Sequence, residues 1–315
     1  MKKIGKSICL VFALTVIALL LTINAKPVAA ASKGVYLEAS TLYCVPDPGS
    51  KGAGDVQVYS LRLNNDTQYK PHWSVGNDKI VKIVEQSDDG IEFMVLKSGT
   101  TKISCTVDGK TYKCTVKASK NYKSENLCKK IKVSSVKKVN ANTFSAKISN
   151  DNAVPVSFHF SFEGIDKYGD KTGYYYDTIV VLPAKSSQTV YLNEYEKNLS
   201  QYKTISKFAV TSIRTATAVE NANYAGKLVF NIDMGKITDN SIGTVSSKAK
   251  IGLNVRYVVL VKNAAGKCVS SIHGTGAVLE AGEKNHVIEA SFVEEKVSGD
   301  GYTYVPAVYY LEPYL

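Results

Sequence analysis

The stretch 102-KISCTVDGKTYKCTV-116 decides the fold. Ile103, Cys105 and Val107, then Tyr112, Cys114 and Val116, recur at every second position on either side of Asp108-Gly109. Strand side chains alternate between faces, so these six share one face, while Ser104, Thr106, Lys113 and Thr115 share the other. One apolar and one polar face mark a sheet that covers a core on one side and meets water on the other. An Asp-Gly pair between two such runs is a strong hairpin signal. The two cysteines leave two registers open. A two-residue loop sets Cys105 opposite Tyr112 and puts Cys114 on the diagonal, about 7–8 Å away, beyond the reach of a disulfide. A four-residue loop over 108–111 sets Cys105 opposite Cys114, where a bridge fits. The Asp-Gly pair favours the first register; the symmetric spacing and an oxidising location favour the second. In both, Cys105 and Cys114 are structural.

The same period recurs along the chain in VSFHFSF (156–162), TVYL (189–192) and VRYVVLV (255–261). Asp89-Gly90, Tyr168-Gly169-Asp170, Ala265-Gly266 and Ala281-Gly282 supply turns. Many short strands with regular turns predict an all-β chain of tandem Ig-like β-sandwich domains. Only LNEYEKNLSQY (192–202) has the spacing of one or two helical turns.

From Trp73 the chain carries Trp73-Ser74, then Ile80-Val81-Lys82-Ile83, then VLKSGTTKI (95–103), and then the hairpin. In this order the elements resemble the bacterial Ig-like group 2 family over residues ~35–117. The resemblance implies a small β-sandwich of secreted or surface proteins and brings no catalytic residues. It places a first domain at 32–119, with Trp73 as a core plug. The polar, lysine-rich ASKNYKSENLCKK (118–130) reads as a linker. Beyond it, 156–192 and 255–290 share a pattern: Leu182-Pro183-Ala184 matches Leu279-Glu280-Ala281, and Val190 matches Val287. The spacing predicts two related sandwiches, 130–218 and 226–315, with a period of about 98 residues. Both resemble FxLyD-type extracellular repeats of Gram-positive bacteria.

The N-terminus speaks to location. Lys2, Lys3 and Lys6 precede the apolar run Ile8–Ile23, and NAKPVAAAS (24–32) follows with Val28 and Ala30 at cleavage positions. This order predicts a signal peptide over residues 1–30 that is cleaved; the run is short of the ~20 residues of a membrane span. The formal charge is +11; four lysines and no acid lie in the first 30 residues, leaving about +7 on the processed chain. That balance serves solubility or attracts an anionic partner such as a wall polymer. The expected partners are a cell-wall polymer, a glycan or a surface protein, with no nucleic acid and no membrane span after cleavage. The expected location is secreted or extracellular, in association with the wall. Without Cys9 the chain keeps an odd five cysteines: Cys44, Cys105, Cys114, Cys128 and Cys268.

Catalytic chemistry has no clear carrier in the sequence. Asp166, Asp170 and Asp177 lack the alternating spacing of a calcium loop. His72, His159, His273 and His286 are scattered. There is no G-x-S-x-G elbow and no phosphate loop. No catalytic, metal or cofactor residues are expected. Tyrosine is the remaining signal, with 20 in the chain. Tyr174, Tyr175, Tyr176, Tyr302 and Tyr304 form a candidate binding surface, because Tyr suits interfaces and can stack on sugar rings. The expected function is non-catalytic binding, adhesion or spacing at the bacterial envelope. A carbohydrate-binding accessory protein is the alternative, and an enzyme with an interdomain site a more distant one.

Overall fold

A computed structural model describes residues 34–47, 57–139, 143–193, 204–220, 225–233, 241–274, 276–292 and 301–314. The expected signal peptide and most of 192–202 lie outside the described residues. The fold is all-β, with three hydrophobic cores between small sheets.

The first core lies between two four-stranded sheets. Its strands are β1 (Tyr36–Leu37), β2 (Thr41–Cys44), β3 (Val58–Asn64), β4 (His72–Val75), β5 (Val81–Ser87), β6 (Gly90–Val95), β7 (Gly99–Val107) and β8 (Lys110–Ala118). The orders are β1-β3-β6-β5 and β2-β8-β7-β4, and β2 runs parallel to β8. Leu61, Phe93, Ile103, Cys105, Cys114 and Val116 fill the space between them, as the period-two pattern requires. Asp108 and Gly109 have φ of 49° and 70°. Positive φ at both central residues makes the two-residue loop whose twist matches the strands. Cys105 therefore faces Tyr112 and Cys114 faces Ile103. The bridged register is not the one adopted: Cys105 and Cys114 are free thiols on a diagonal. Trp73 is half-buried at the border of this core, and its indole N–H donates to Ser87 O at 3.4 Å.

The stretch expected as a linker is folded onto the second core. After a 3-10 turn at Lys120–Tyr122 comes α1 (Ser124–Cys128). One apolar residue per turn suffices to dock so short a helix, and Leu127 does so, fully buried. The strands are β9 (Ile131–Lys138), β10 (Thr143–Asn150), β11 (Val156–Asp166), β12 (Lys171–Leu182), β13 (Ser186–Asn193) and β14 (Ile205–Ala218). Their orders are β13-β10-β9 and β12-β11-β14. Phe144, Phe158, Phe160 and Phe162 are fully buried between the sheets, each contributing about 1.5–3 kcal/mol by leaving water. Buried Asn150 is satisfied by Nδ2 donation to Val154 O, Leu182 O and Pro183 O at 3.0, 3.3 and 2.9 Å.

The third core is enclosed by β15 (Leu228–Ile232), β16 (Ser241–Ser247), β17 (Gly252–Lys262), β18 (Cys268–Gly274), β19 (Ala277–Leu279), β20 (His286–Phe292) and β21 (Thr303–Tyr314). Its connectivity repeats that of the second. Ile131 faces Asn150 and Leu228 faces Ser247; Val156 faces Leu182 and Leu253 faces Leu279; each residue of the later pair lies 97 positions after its counterpart. The match then slips by one. Val190 faces Ala146 and Ile288 faces Gly243, and both Val190 and Ile288 are buried while Val287 is exposed. The residue equivalent to Val190 is Ile288, not Val287.

Several contacts join these parts, with Tyr43 of β2 packed against the second core and Tyr36 of β1 against the third. β12 and β13 of the second core touch β17, β18 and β21 of the third. β13 touches β17, whose outward Val258 and Leu260 are buried outside the core cluster. The Glu220 carboxylate just beyond β14 accepts from Ser40 N at 2.7 Å and Thr41 N at 2.8 Å, and from the Ser40 hydroxyl. Among the described residues no helix is long and apolar enough to cross a membrane.

Candidate binding face on the second core

The outer face of the sheet β12-β11-β14 gathers polar groups in an unusual state of burial. Along β11 the phenylalanines point inward, so Ser157, His159, Ser161 and Glu163 point outward. Ser161 is 3% exposed and Glu163 only 1%. Residues opposite each other in a sheet share a face. Ser161 lies between Asp177 on β12 and Ser212 on β14, and Glu163 lies between Tyr175 and Ala209.

Four of these side chains close a ring of contacts. Arg214 Nε donates to Ser212 Oγ at 3.4 Å, Ser212 Oγ to Ser161 Oγ at 3.4 Å, and Ser161 Oγ to Asp177 Oδ1 at 3.3 Å. Arg214 Nη1 returns to Asp177 Oδ2 at 3.3 Å. The backbone of Arg214 is fixed from outside by α1. Cys128 Sγ donates to Arg214 O at 3.1 Å, and Ala216 N donates to Ser124 Oγ at 2.9 Å. The helix thus covers part of the open edge of β14, as sheet edges require.

Beside the ring sits Glu163. Its Oε2 is 3.0 Å from Lys171 Nζ, whose side chain stays 70% exposed. The ammonium donates to the carboxylate in this ion pair, and that bond raises the Lys171 pKa above its ordinary value. The phenol of Tyr175 hydrogen-bonds the Glu163 carboxylate, and that bond, with some desolvation, holds its pKa above the ordinary tyrosine value. Lys171 reaches Glu163 because the β11–β12 ladder shifts between Glu163 and Ile165. Gly164 occupies the shift; a Cβ there would come within 2.6 Å of the Ile205 side chain and 2.7 Å of Thr172 Oγ1.

The predicted tyrosine surface divides. Tyr174 is buried and Tyr176 half-buried, their rings 6.2 and 5.4 Å from Phe144. Only Tyr175 of the three points out, 62% exposed. Consecutive residues on a strand cannot share a face, so a three-residue platform is excluded. Tyr302 is exposed, and Tyr304 packs against the third core. Asp166 closes the turn between β11 and β12, accepting from Tyr168 N and Asp170 N at 2.8 and 2.9 Å, whereas Asp177 belongs to the ring on the sheet. Among the described residues no group of three His, Cys, Asp or Glu could hold a metal ion. His72 is exposed, and His286 Nδ1 is 2.8 Å from Glu283 Oε1.

Three buried thiols of the first core are held neutral. Burial pushes Cys44 up to about 12 and Cys105 up to about 11, and raises Cys114 as well. A raised pKa removes thiolate at neutral pH, and with it nucleophilic reactivity.

Ser161, Glu163, Lys171, Ser212 and Arg214 were not singled out from the sequence. The one signal for them is the polar phase of VSFHFSFE, where Ser, His, Ser and Glu alternate with Val and Phe. A further concavity of about 520 Å³ runs along β3, β5 and β6 of the first core, lined by Arg62, Glu85, Asp89 and Glu92 among others.

No family model and no curated protein matches the chain. Among solved structures it is similar to the S-layer protein rSbsC(31-844), at 11% identity and TM-score 0.23, over 57% of this chain and 25% of that one. The chain thus spans a quarter of that S-layer protein. It is similar to the D00-D0 domain of Intimin at 12% identity and TM-score 0.22, over 60% of this chain and 100% of that one. It is also similar to Bacteroides ovatus SGBP-B of the mixed-linkage glucan utilization locus, in complex with a mixed-linkage heptasaccharide. That match has 13% identity and TM-score 0.17, over 84% of this chain and 71% of that one.

Proposed function

We propose that the chain is an exported, non-catalytic binding protein of the bacterial envelope that holds its partner on the outer face of β12-β11-β14. The leader pattern at residues 1–30 supports export, and the resemblance of residues ~35–117 to bacterial Ig-like group 2 supports a surface role. One observation carries the choice of face: Glu163 and Ser161 are buried on the side of the sheet away from the core. Lys171 and Tyr175 hold the Glu163 carboxylate and Arg214 holds Asp177, so the face presents fixed polar groups beside the exposed Tyr175 ring. A role in adhesion or as a spacer between envelope layers uses the same three cores. The test is pelleting of the chain from residue 31 with purified Gram-positive cell walls, beside Tyr175→Ala and Asp177→Ala. Retention by walls that weakens in both variants supports the reading. Retention unchanged in both, or no retention at all, sinks the assignment of this face.

A further inference from the structure

The two outer faces of the first sandwich carry opposite charge. On the sheet β2-β8-β7-β4, Ile103, Cys105, Cys114 and Val116 point into the core, so Lys102, Lys113 and Lys117 point outward among serines and threonines. No Asp or Glu occupies an outward position on these four strands. Lys102 faces Thr115, midway between Lys113 and Lys117 on the neighbouring strand. The three lysines therefore zigzag over two strands, with about 7–8 Å between diagonal neighbours. The side chains around them, such as Ser74, Ser104 and Thr115, are short, so the lysines project above the face. Lys117 lies 5.6 Å from the Tyr43 ring centroid. Lys102 and Lys113 are exposed and, among the described residues, in no ion pair.

The outer face of β1-β3-β6-β5 is recessed and acidic, and the concavity of about 520 Å³ lies on it. Gly90 leaves the floor bare; a Cβ there would come within 2.5 Å of Leu61 O. Glu85 on β5 stands directly opposite Glu92 on β6. Both are exposed and, among the described residues, neither is in an ion pair. Asp89 adds a carboxylate at the β5–β6 turn, and Arg62, which also lines the recess, acts on Glu38 of β1. Like charges directly opposite in a sheet are destabilising, and a cation set between Glu85 and Glu92 relieves that repulsion.

Projecting cations over a low floor and a recess flanked by opposed carboxylates are complementary in shape and in charge, and one molecule carries both. A cationic peptide would answer the recess alone, and a polyanion the lysines alone. A second copy of the chain answers both. We infer that the lysine face of one copy docks on the acidic recess of the next, with Lys102 and Lys113 reaching Glu85 and Glu92. The two surfaces differ, so the contact is head-to-tail and leaves one face of each kind free to continue a row. Four strands about 4.8 Å apart and about eight residues long present roughly 19 by 26 Å. About 1,000 Å² would be buried over both copies, at the low end for specific contacts, so the association is weak and reversible. This contact lies on the first core and is independent of the face on the second.

The experiment is sedimentation velocity of the chain from residue 31, from about 10 μM to about 1 mM, the range of weak association. It is run at about 0.15 M and about 1 M NaCl, where charges are screened beyond about 8 and about 3 Å. At the lower salt the long-range repulsion between positively charged copies is already damped, and the contact charges still act. One variant carries Lys102→Glu and Lys113→Glu; the other carries Glu85→Lys and Glu92→Lys. Urea unfolding checks that each is folded. Expected is a mass that rises with concentration at the lower salt and returns to the monomer at the higher. Each variant alone should associate at least tenfold more weakly, because like charges then meet. An equimolar mixture of the two variants should regain association, since each reversed face finds its complement on the other variant. A wild-type chain that stays monomeric at about 1 mM and the lower salt overturns the inference. So does association that persists at about 1 M NaCl or survives either pair of reversals, and so does a mixture that stays monomeric.

Discussion

The outer faces of β11 and β17 occupy equivalent places in two copies of one fold, 97 residues apart. Ser157 and His159 correspond to Asn254 and Arg256, polar in both. The next two outward positions part company: Ser161 and Glu163 stand where the third core has Val258 and Leu260. All four are buried. On β17 the apolar pair is buried outside the core cluster, on a strand that β13 of the neighbouring core touches. On β11 the polar pair lies under Tyr175, Lys171, Asp177 and Arg214. The comparison teaches that backbone and register do not decide what a sheet face receives. Two side chains in the outward phase divert it from packing against another sandwich to holding polar groups, as the end repeats of stacked arrays do with their polar outer faces.

Exchanging the residues is the strongest way to break the comparison. Leu260→Glu places a carboxylate in the apolar contact without a Lys171 or Tyr175 beside it. The expected cost is about 3–5 kcal/mol, the scale for an uncompensated buried charge, read as a lower urea midpoint. A loss under about 1 kcal/mol would mean that the β17 face is wetter than its burial implies. The reverse exchange, Glu163→Leu, has a smaller effect on stability. The orphaned Lys171 is 70% exposed and returns to water, and leucine fills the buried space, so the expected change is within about 1 kcal/mol, while retention by cell walls weakens. A large destabilisation would show that the carboxylate holds the sheet together. Smaller again is Asp177→Ala. Its partner Arg214 is more than half exposed, and such pairs contribute about 0–1 kcal/mol. Chemical unfolding should place it in that range, and a greater loss would make the polar ring structural.

The finest effect is spectroscopic. Tyr175 ionises above the ordinary tyrosine value because its phenol hydrogen-bonds Glu163. In Glu163→Leu that bond is gone, so the variant's Tyr175 loses its proton at lower pH than in the wild type. An ultraviolet difference titration near pH ~10 should show phenolate appearing first in the variant, with an amplitude of about one tyrosine. Coincident curves would separate Tyr175 from Glu163.

The fold was readable where side chains alternate. KISCTV and TYKCTV, VSFHFSF and VRYVVLV became β7, β8, β11 and β17 with the inward residues as expected. Asp108-Gly109 formed the short turn, and this placed the cysteines on a diagonal. The helix at 124–128 was hidden because a five-residue helix shows no period, only Leu127. The one-residue slip from Val287 to Ile288 arises in the connection before β20, where composition carries no register. The binding face was readable only in half. The polar phase of β11 is plain in Ser161 and Glu163, but their partners arrive from β12 through a shift at Gly164 and from β14 through three further shifts. Pattern names the residues facing out, and only pairing says which of them meet.

The parallel pairing of β2 with β8 has a mechanical consequence. Four rungs, from Thr41–Thr115 to Cys44–Ala118, join the first long stretch of the described chain to the last strand of the first core. Tension entering at Thr41 and leaving past Ala118 pulls two parallel strands in opposite directions along their length. The hydrogen bonds between them are then loaded together, in shear, and must yield as a set. An antiparallel hairpin pulled from its open end would peel one rung at a time. A protein held on the N-terminal side of Thr41 and gripping its partner through the second core would carry its load through this joint.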